Sequence, residues 1–191
     1  YKLVVGNCID VVKKIPNMSI DMVFADPPYM LSNGGITCQS GKMVSVNKGS
    51  WDRSSGFASD YTFTKRWLRL LRRVLKPDGT IWVSGTYHNI YLVAFALNEL
   101  GYSIINDISW FKPNAAPNIS CKCFTASHET LLWAKVSKDA KYKFNYHEMK
   151  EMNGGKQMRS VWKIPTTPKS EKEFGKHPTQ KPLQLLKRCI L

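Results

Sequence analysis

The sequence predicts an α/β fold with a mostly parallel sheet and an antiparallel hairpin at its edge. Three observations carry that expectation. A strand–helix–strand unit opens the chain at residues 3–5, 9–15 and 21–25, and such units favour parallel strands. Two longer amphipathic helices, at 61–76 and 89–100, flank a third strand at 80–84. Two further strands, at 104–111 and 130–136, are joined by an irregular loop rather than a helix, which suits an antiparallel pair.

The elements follow in order. Leu3-Val4-Val5 is a short apolar run, and Gly6-Asn7-Cys8 turns out of it. In the helix at 9–15, Ile9 and Val12 face inward, with Val11 and Ile15 beside them, and Pro16-Asn17 ends it. Strand 21–25 then runs straight into Asp26-Pro27-Pro28-Tyr29.

Those four residues are the most informative in the chain. A carboxylate at a strand tip can accept a hydrogen bond from an amine. The prolines fix φ near −65° and remove two donors, leaving backbone carbonyls as rigid acceptors. A tyrosine can stack on a flat ring. Together they could grip the exocyclic amine of a nucleobase. A stiff turn capped by the aspartate is the plainer reading of the same residues.

Residues 30–60 read as a long loop, with Gly34-Gly35, Gly41, Gly49 and Gly56. Loops this long are usually functional or mobile. This one leaves the tip directly and is expected to reach substrate, with Trp51-Asp52 anchored near its far end. In helix 61–76, Phe63, Trp67, Leu70, Leu71, Val74 and Leu75 recur at helical spacing. Lys65, Arg66, Arg69, Arg72, Arg73 and Lys76 cover the other side, a face read first as solvated surface. Pro77-Asp78-Gly79 turns the chain into strand 80–84. Gly101 fits a C-terminal cap for helix 89–100. Residues 137–176 are polar and basic, with little that foretells a core. The run Lys176-His177-Pro178-Thr179-Gln180-Lys181-Pro182 leads into a helix at 183–191.

Composition bounds the function. A length of 191 residues suits one domain, with room for an inserted lobe. No apolar run approaches the roughly 18 residues that span a bilayer, and no signal peptide is expected. Five cysteines without framework spacing read as reduced thiols. Cys121-x-Cys123 with His128 lacks a second ligand pair, so no metal is expected. Lys and Arg number 28 against 14 Asp and Glu, a formal net charge of +14. Such an excess points to a polyanionic partner, without separating DNA from RNA or anionic lipid.

Together, Asp26 to Tyr29, Trp110-Phe111-Lys112-Pro113-Asn114, His128-Glu129 and the signature at 177–182 resemble the amino-group DNA methyltransferases. The order is that of the permuted group often called beta class, and the likeness covers the whole chain. Through Leu31-Ser32-Asn33-Gly34-Gly35-Ile36 and residues 85–91, the chain is most similar to the DpnA-like adenine methyltransferases of restriction–modification systems. The resemblance implies a Rossmann-like methyltransferase fold with circularly permuted motif order. It implies a catalytic core at 1–136, with 30–60 as its active-site and DNA loop. A target-recognition region is expected at 137–176 and the start of the cofactor-binding part at 177–191. The family's glycine-rich cofactor loop lies downstream of the signature. No Gly-x-Gly occurs in this sequence, so the chain is expected to be truncated at its C-terminus. Relatives often carry aspartate where this chain has Asn7, whose amide oxygen can still accept a hydrogen bond.

The implied reaction moves a methyl group from S-adenosylmethionine to an adenine amine. Asp26 and the Pro27 carbonyl would accept the two amine hydrogens, Pro28 would stiffen the turn, and Tyr29 would stack on the base. Cofactor binding would fall to Asn7, Cys8 and Asp26, and to His177, Thr179, Gln180 and Lys181 near a helix terminus. Ser32, Asn33, Gly34 and Trp51 would touch the target base or its neighbours. The base must flip out of a duplex or come from a single strand. Aspartate at the first motif position favours adenine, because cytosine enzymes more often carry serine there. The subgroup implies GATC as the target. The implied partners are DNA and a second copy of the chain, with no membrane, in the bacterial cytosol at the nucleoid. A cytosine amino-methyltransferase and a non-catalytic DNA-binding fragment are the alternatives. His128-Glu129 reads either as a satisfied polar pair or as support for the site.

Overall fold

The computed structural model describes residues 1–32, 34–39, 42–45, 47–175, 177 and 179–191, with the backbone alone at 36–39, 42 and 43. Two compact units are built from interleaved segments. The first comprises Tyr1–Pro27, Ser55–Asp107 and Leu132–Lys143, and the second Pro28–Ser54, Ile108–Leu131 and Phe144–Leu191.

The first unit begins with α1 (Cys8–Lys13), capped by Asn7, whose Oδ1 accepts the Ile9 amide at 2.9 Å. Strand β1 (Ile20–Ala25) follows, then α2 (Phe57–Val74), β4 (Leu75–Gly85) and α3 (Ile90–Glu99). Strands β5 (Ser103–Phe111) and β6 (His128–Lys135) run through both units. In the second unit, β2 (Ile36–Gln39) and β3 (Lys42–Ser45) form a separate antiparallel ribbon. That unit also holds α4 (Tyr146–Met152), β7 (Val161–Lys163) and α5 (Leu183–Ile190).

The main sheet has the strand order β1-β4-β6-β5-β7. β1 runs parallel to β4, and β5 parallel to β7. Met22 to Ala25 pair with Thr80 to Val83, whereas Ile20 pairs with Leu75. The register therefore jumps over Lys76-Pro77-Asp78-Gly79, the last three of which are those expected to turn the chain.

The core of the first unit follows from periodicity. Trp67 and Leu68 on α2, Ile81 and Val83 on β4, and Val93, Ala96 and Leu97 on α3 are buried together. Fully burying one such leucine or valine is worth about 1.5–3 kcal/mol. α3 ends as its sequence foretells. Gly101 has φ +78°, its amide donates to Asn98 and the Tyr102 amide donates to Leu97. That is the Schellman pattern, which wants glycine at this position. Trp82 stacks on Trp133 at 4.9 Å, and Trp133 meets Tyr142 edge-on at 5.2 Å, so these rings serve packing.

Three expectations need correction. Residues 3–5 are not a strand: Leu3 and Val5 are 84% and 92% exposed. Apolar side chains do not make a strand without a paired neighbour, and β1 takes β4 instead. Residues 137–176 contribute more core than their polarity suggests. Met149 on α4 and Trp162 on β7 are buried, and so is Ile164. The basic side of α2 is not simply solvated. The Arg73 guanidinium donates to the carbonyls of Val12 and Ile15, at 2.7 and 3.0 Å, closing the end of α1. Lys65 pairs with Glu99.

Candidate active site

β1 ends at Ala25, which places Asp26 beside the end of β4. Ser84 on β4 is fully buried. Its hydroxyl donates to Asp26 Oδ1 at 2.7 Å and lies 3.3 Å from the Ala25 carbonyl. The Asp26 carboxylate is thus exposed yet oriented. Changing Ser84 to alanine should slow the methyl transfer that the resemblance implies, without unfolding the chain, since a hydrogen bond to a charged group is worth about 1.5–3 kcal/mol. Single-turnover rates beside a melting curve check this.

Within the second unit, one buried carboxylate organises the loop that leaves the tip. Asp52 is 2% exposed. Its Oδ1 accepts the amides of Tyr29 and Met30 at 2.8 and 3.0 Å. Its Oδ2 accepts the Leu31 amide at 3.3 Å and the Ser32 hydroxyl at 2.9 Å. The Ser32 amide donates to the Asp52 carbonyl at 3.1 Å. Met30 has φ +59°, so three successive amides turn toward one anion, in the manner of a backbone nest. Asp52 sits in the single turn Ser50–Asp52. Gly49 enters that turn with φ +125°, and a Cβ there would lie 2.7 Å from the Trp51 indole nitrogen.

The Tyr29 side chain is held as well. Its hydroxyl donates to Glu129 Oε2 at 3.0 Å. Glu129 Oε1 accepts from Lys112 Nζ at 2.7 Å. Lys181 Nζ lies 5.0 Å from the centre of the Tyr29 ring and 3.9 Å from Glu129 Oε2.

The remaining expected residues are placed as follows. Pro27 and Pro28 are half-buried. Ser32 is 5% exposed, and its oxygen also accepts the Lys48 amide at 2.8 Å, so its contacts lie inside the loop. Gly34 is exposed with φ +84°, and Trp51 is 52% exposed. Asn33 lies outside the described residues. Asn7 and Cys8 are exposed at the start of α1. His177 Nδ1 accepts the Thr179 amide at 3.3 Å. The Gln180 side chain donates to the Glu171 carbonyl at 2.7 Å. The first amide of α5, on Leu183, already donates to the Glu171 carboxylate at 2.9 Å.

Sequence reasoning assigns Ser84 no role, and it marks Asp52 only as anchored beside Trp51, not as the acceptor for the Tyr29 segment. A polar residue ending the apolar run Ile81-Trp82-Val83 was the available signal for Ser84. For Asp52 it was a carboxylate beside an apparent anchor. Among the described residues, no group of three or more His, Cys, Asp or Glu could hold a metal. Cys8, Cys121 and Cys123 are exposed free thiols, and burial pushes the Cys189 thiol up to about 12.

The family profile described as DNA methylase matches residues 20–191. The type II methyltransferase M2.LlaDCHI of Lactococcus lactis subsp. cremoris is 54% identical over 190 residues, 99% of this chain and 71% of that protein. M2.DpnII of Streptococcus pneumoniae is 53% identical over 190 residues, with the same coverage. Two solved structures share the fold. The complex of M1.HpyAVI with SAM gives a TM-score of 0.65 at 22% identity, over 97% of this chain and 72% of that one. The cytosine-N4-specific PvuII DNA methyltransferase gives 0.70 at 16% identity, over 97% and 67%.

Proposed function

Because this chain belongs to the DNA methylase family, we propose that it is an adenine-specific DNA methyltransferase of a type II restriction–modification system, with S-adenosylmethionine as methyl donor. The observation that carries the reading is the Asp26 carboxylate, presented at the tip of β1 and oriented by the buried Ser84 hydroxyl. Relatives more than 50% identical bear type II methyltransferase names. The fold alone does not choose the base, since a cytosine-N4 enzyme shares it. Aspartate at the first motif position supports adenine.

An adenine amine is a poor nucleophile because its lone pair is delocalised into the ring. Accepting both amine hydrogens, at Asp26 and at the Pro27 carbonyl, helps localise that pair. Tyr29 stacks on the base. Positioning does most of the work. A carboxylate is a weak base for an adenine amine, so the proton leaves after the methyl has arrived and the nitrogen is cationic.

The residues fit the donor by their chemistry. Asp26 is an exposed anion suited to a sulfonium. Asn7 uses its amide oxygen as a helix cap, which leaves its NH2 group to meet an adenosine acceptor, with Cys8 beside it. In the second unit, Thr179 and His177 offer polar atoms, whereas the Gln180 and Lys181 side chains are engaged by their neighbours. When bound, the donor supplies an electrophilic methyl group.

The +14 charge supports DNA as partner. Residues 112–127 and 137–176 would hold phosphates and read base edges, beside Gly34 and Trp51. Base flipping, a GATC target, self-association and a cytosolic site belong to the same reading. No described helix is long and apolar enough to cross a membrane. The test uses tritiated S-adenosylmethionine with duplexes containing GATC or a scrambled site, followed by nucleoside chromatography. Label in N6-methyladenine only from GATC is expected. Label on cytosine overturns the base assignment, and no label overturns the activity.

A further inference from the structure

We propose that Glu129 is a positioning residue for methyl transfer, acting through the Tyr29 hydroxyl, and that Lys181 fixes which face of the Tyr29 ring meets the base. This rests on the reading of Tyr29 as the stacking residue. Four segments distant in sequence converge here. Tyr29 follows the strand tip, Lys112 follows β5, Glu129 opens β6, and Lys181 precedes α5. Both oxygens of Glu129 are used. Oε2 accepts from Tyr29 at 3.0 Å and Oε1 from Lys112 at 2.7 Å. Rotation of the carboxylate would break one bond or the other. Lys112 is itself held, because its amide donates to the Ser127 carbonyl at 2.7 Å and its ammonium lies 5.0 Å over the Trp110 ring.

The cluster is well shielded. The side chains of Lys112, Glu129 and Lys181 are 16%, 13% and 8% exposed. Charges so placed act on each other far more strongly than in water. A phenol that donates to a carboxylate gains electron density in its ring, which favours contact with a cation or a polarised base. Lys181 lies over the ring at 5.0 Å and so takes one face, directing a flat partner to the opposite one. Tyr29 is thereby pinned at its amide by Asp52, at its hydroxyl by Glu129 and at its face by Lys181. A stacking platform needs that order before the base arrives.

The test is a double-mutant cycle in the full chain. Wild type, Tyr29→Phe, Glu129→Ala and the double variant are compared. The readouts are single-turnover methyl transfer, duplex affinity, and fluorescence of 2-aminopurine at the target position. We expect each single change to slow transfer about tenfold, with duplex affinity within about twofold. The double variant should be no slower than the slower single variant, and 2-aminopurine should be less quenched in all three. An equal loss from Glu129→Ala in the wild-type and Tyr29→Phe backgrounds would mean that Glu129 only braces the fold, and overturns the proposal. So does unchanged 2-aminopurine quenching. If Glu129→Ala does not fold, Glu129→Gln replaces it, with a smaller loss that must again vanish beside Tyr29→Phe. A wild-type protein that transfers no methyl group to DNA overturns the functional reading itself. An active wild type with an additive cycle overturns this inference alone.

Discussion

Asp26→Ala should lower methyl transfer by about 10³-fold or more while duplex affinity stays within about threefold. In the proposed reaction the carboxylate is the charged acceptor for the target amine, and alanine offers nothing in its place. Asp26 is exposed, so its loss leaves no hole in the core and the melting temperature should barely move. Asp26→Asn separates charge from geometry. It keeps an oxygen where the Ser84 hydroxyl donates at 2.7 Å but removes the anion, and an intermediate loss of about 10²-fold is expected. Single-turnover rates with a filter-binding isotherm check both variants. Full activity in Asp26→Ala would remove Asp26 from its role.

The second large effect is expected at Asp52, a residue that touches neither base nor methyl group. Asp52→Ala removes the acceptor for three successive amides and one hydroxyl at once. Each buried donor left without a partner costs about 1–3 kcal/mol. Relaxation of the loop keeps the total below the sum, and about 3 kcal/mol of stability should be lost. For a chain of this length that lowers the melting temperature by roughly 6–12 °C. Activity should fall with it, because the Tyr29 backbone loses its register. Asp52→Asn keeps one acceptor oxygen and should show a smaller loss on both counts. Melting curves and methyl-transfer rates are the measurements. An Asp52→Ala protein as stable and active as wild type would show that the loop has other means of support.

Local signals were legible where the partner of a residue lies near it in sequence. The cap at Gly101, the apolar stripe of α2 and the strand leading to Asp26 all depend on neighbours within a few positions. Contacts across long separations were not legible. Arg73 reads as one more basic residue on a solvated face until α1 arrives beneath it, 58 positions away at Ile15. Leu3, Val4 and Val5 have strand-like chemistry, but pairing needs a neighbour that composition does not announce. Lys181 sits in a signature associated with cofactor binding, yet its ammonium lies over the Tyr29 ring. Ser32 stands next to the tip in sequence, and burial turns its hydroxyl to Asp52. Residue type told what chemistry each could do, whereas the fold decided which partner received it.

The bond between Ser32 and Asp52, twenty positions apart, has an evolutionary consequence. It closes the intervening segment on itself like a reversible staple. Closing a loop depends only weakly on its length, about 0.6 kcal/mol per doubling. Sequence between the two staple points can therefore lengthen, shorten or be exchanged without moving Tyr29. The ribbon of β2 and β3 becomes a replaceable cassette, whose sequence can drift, or be engineered, while the geometry at the tip stays constant.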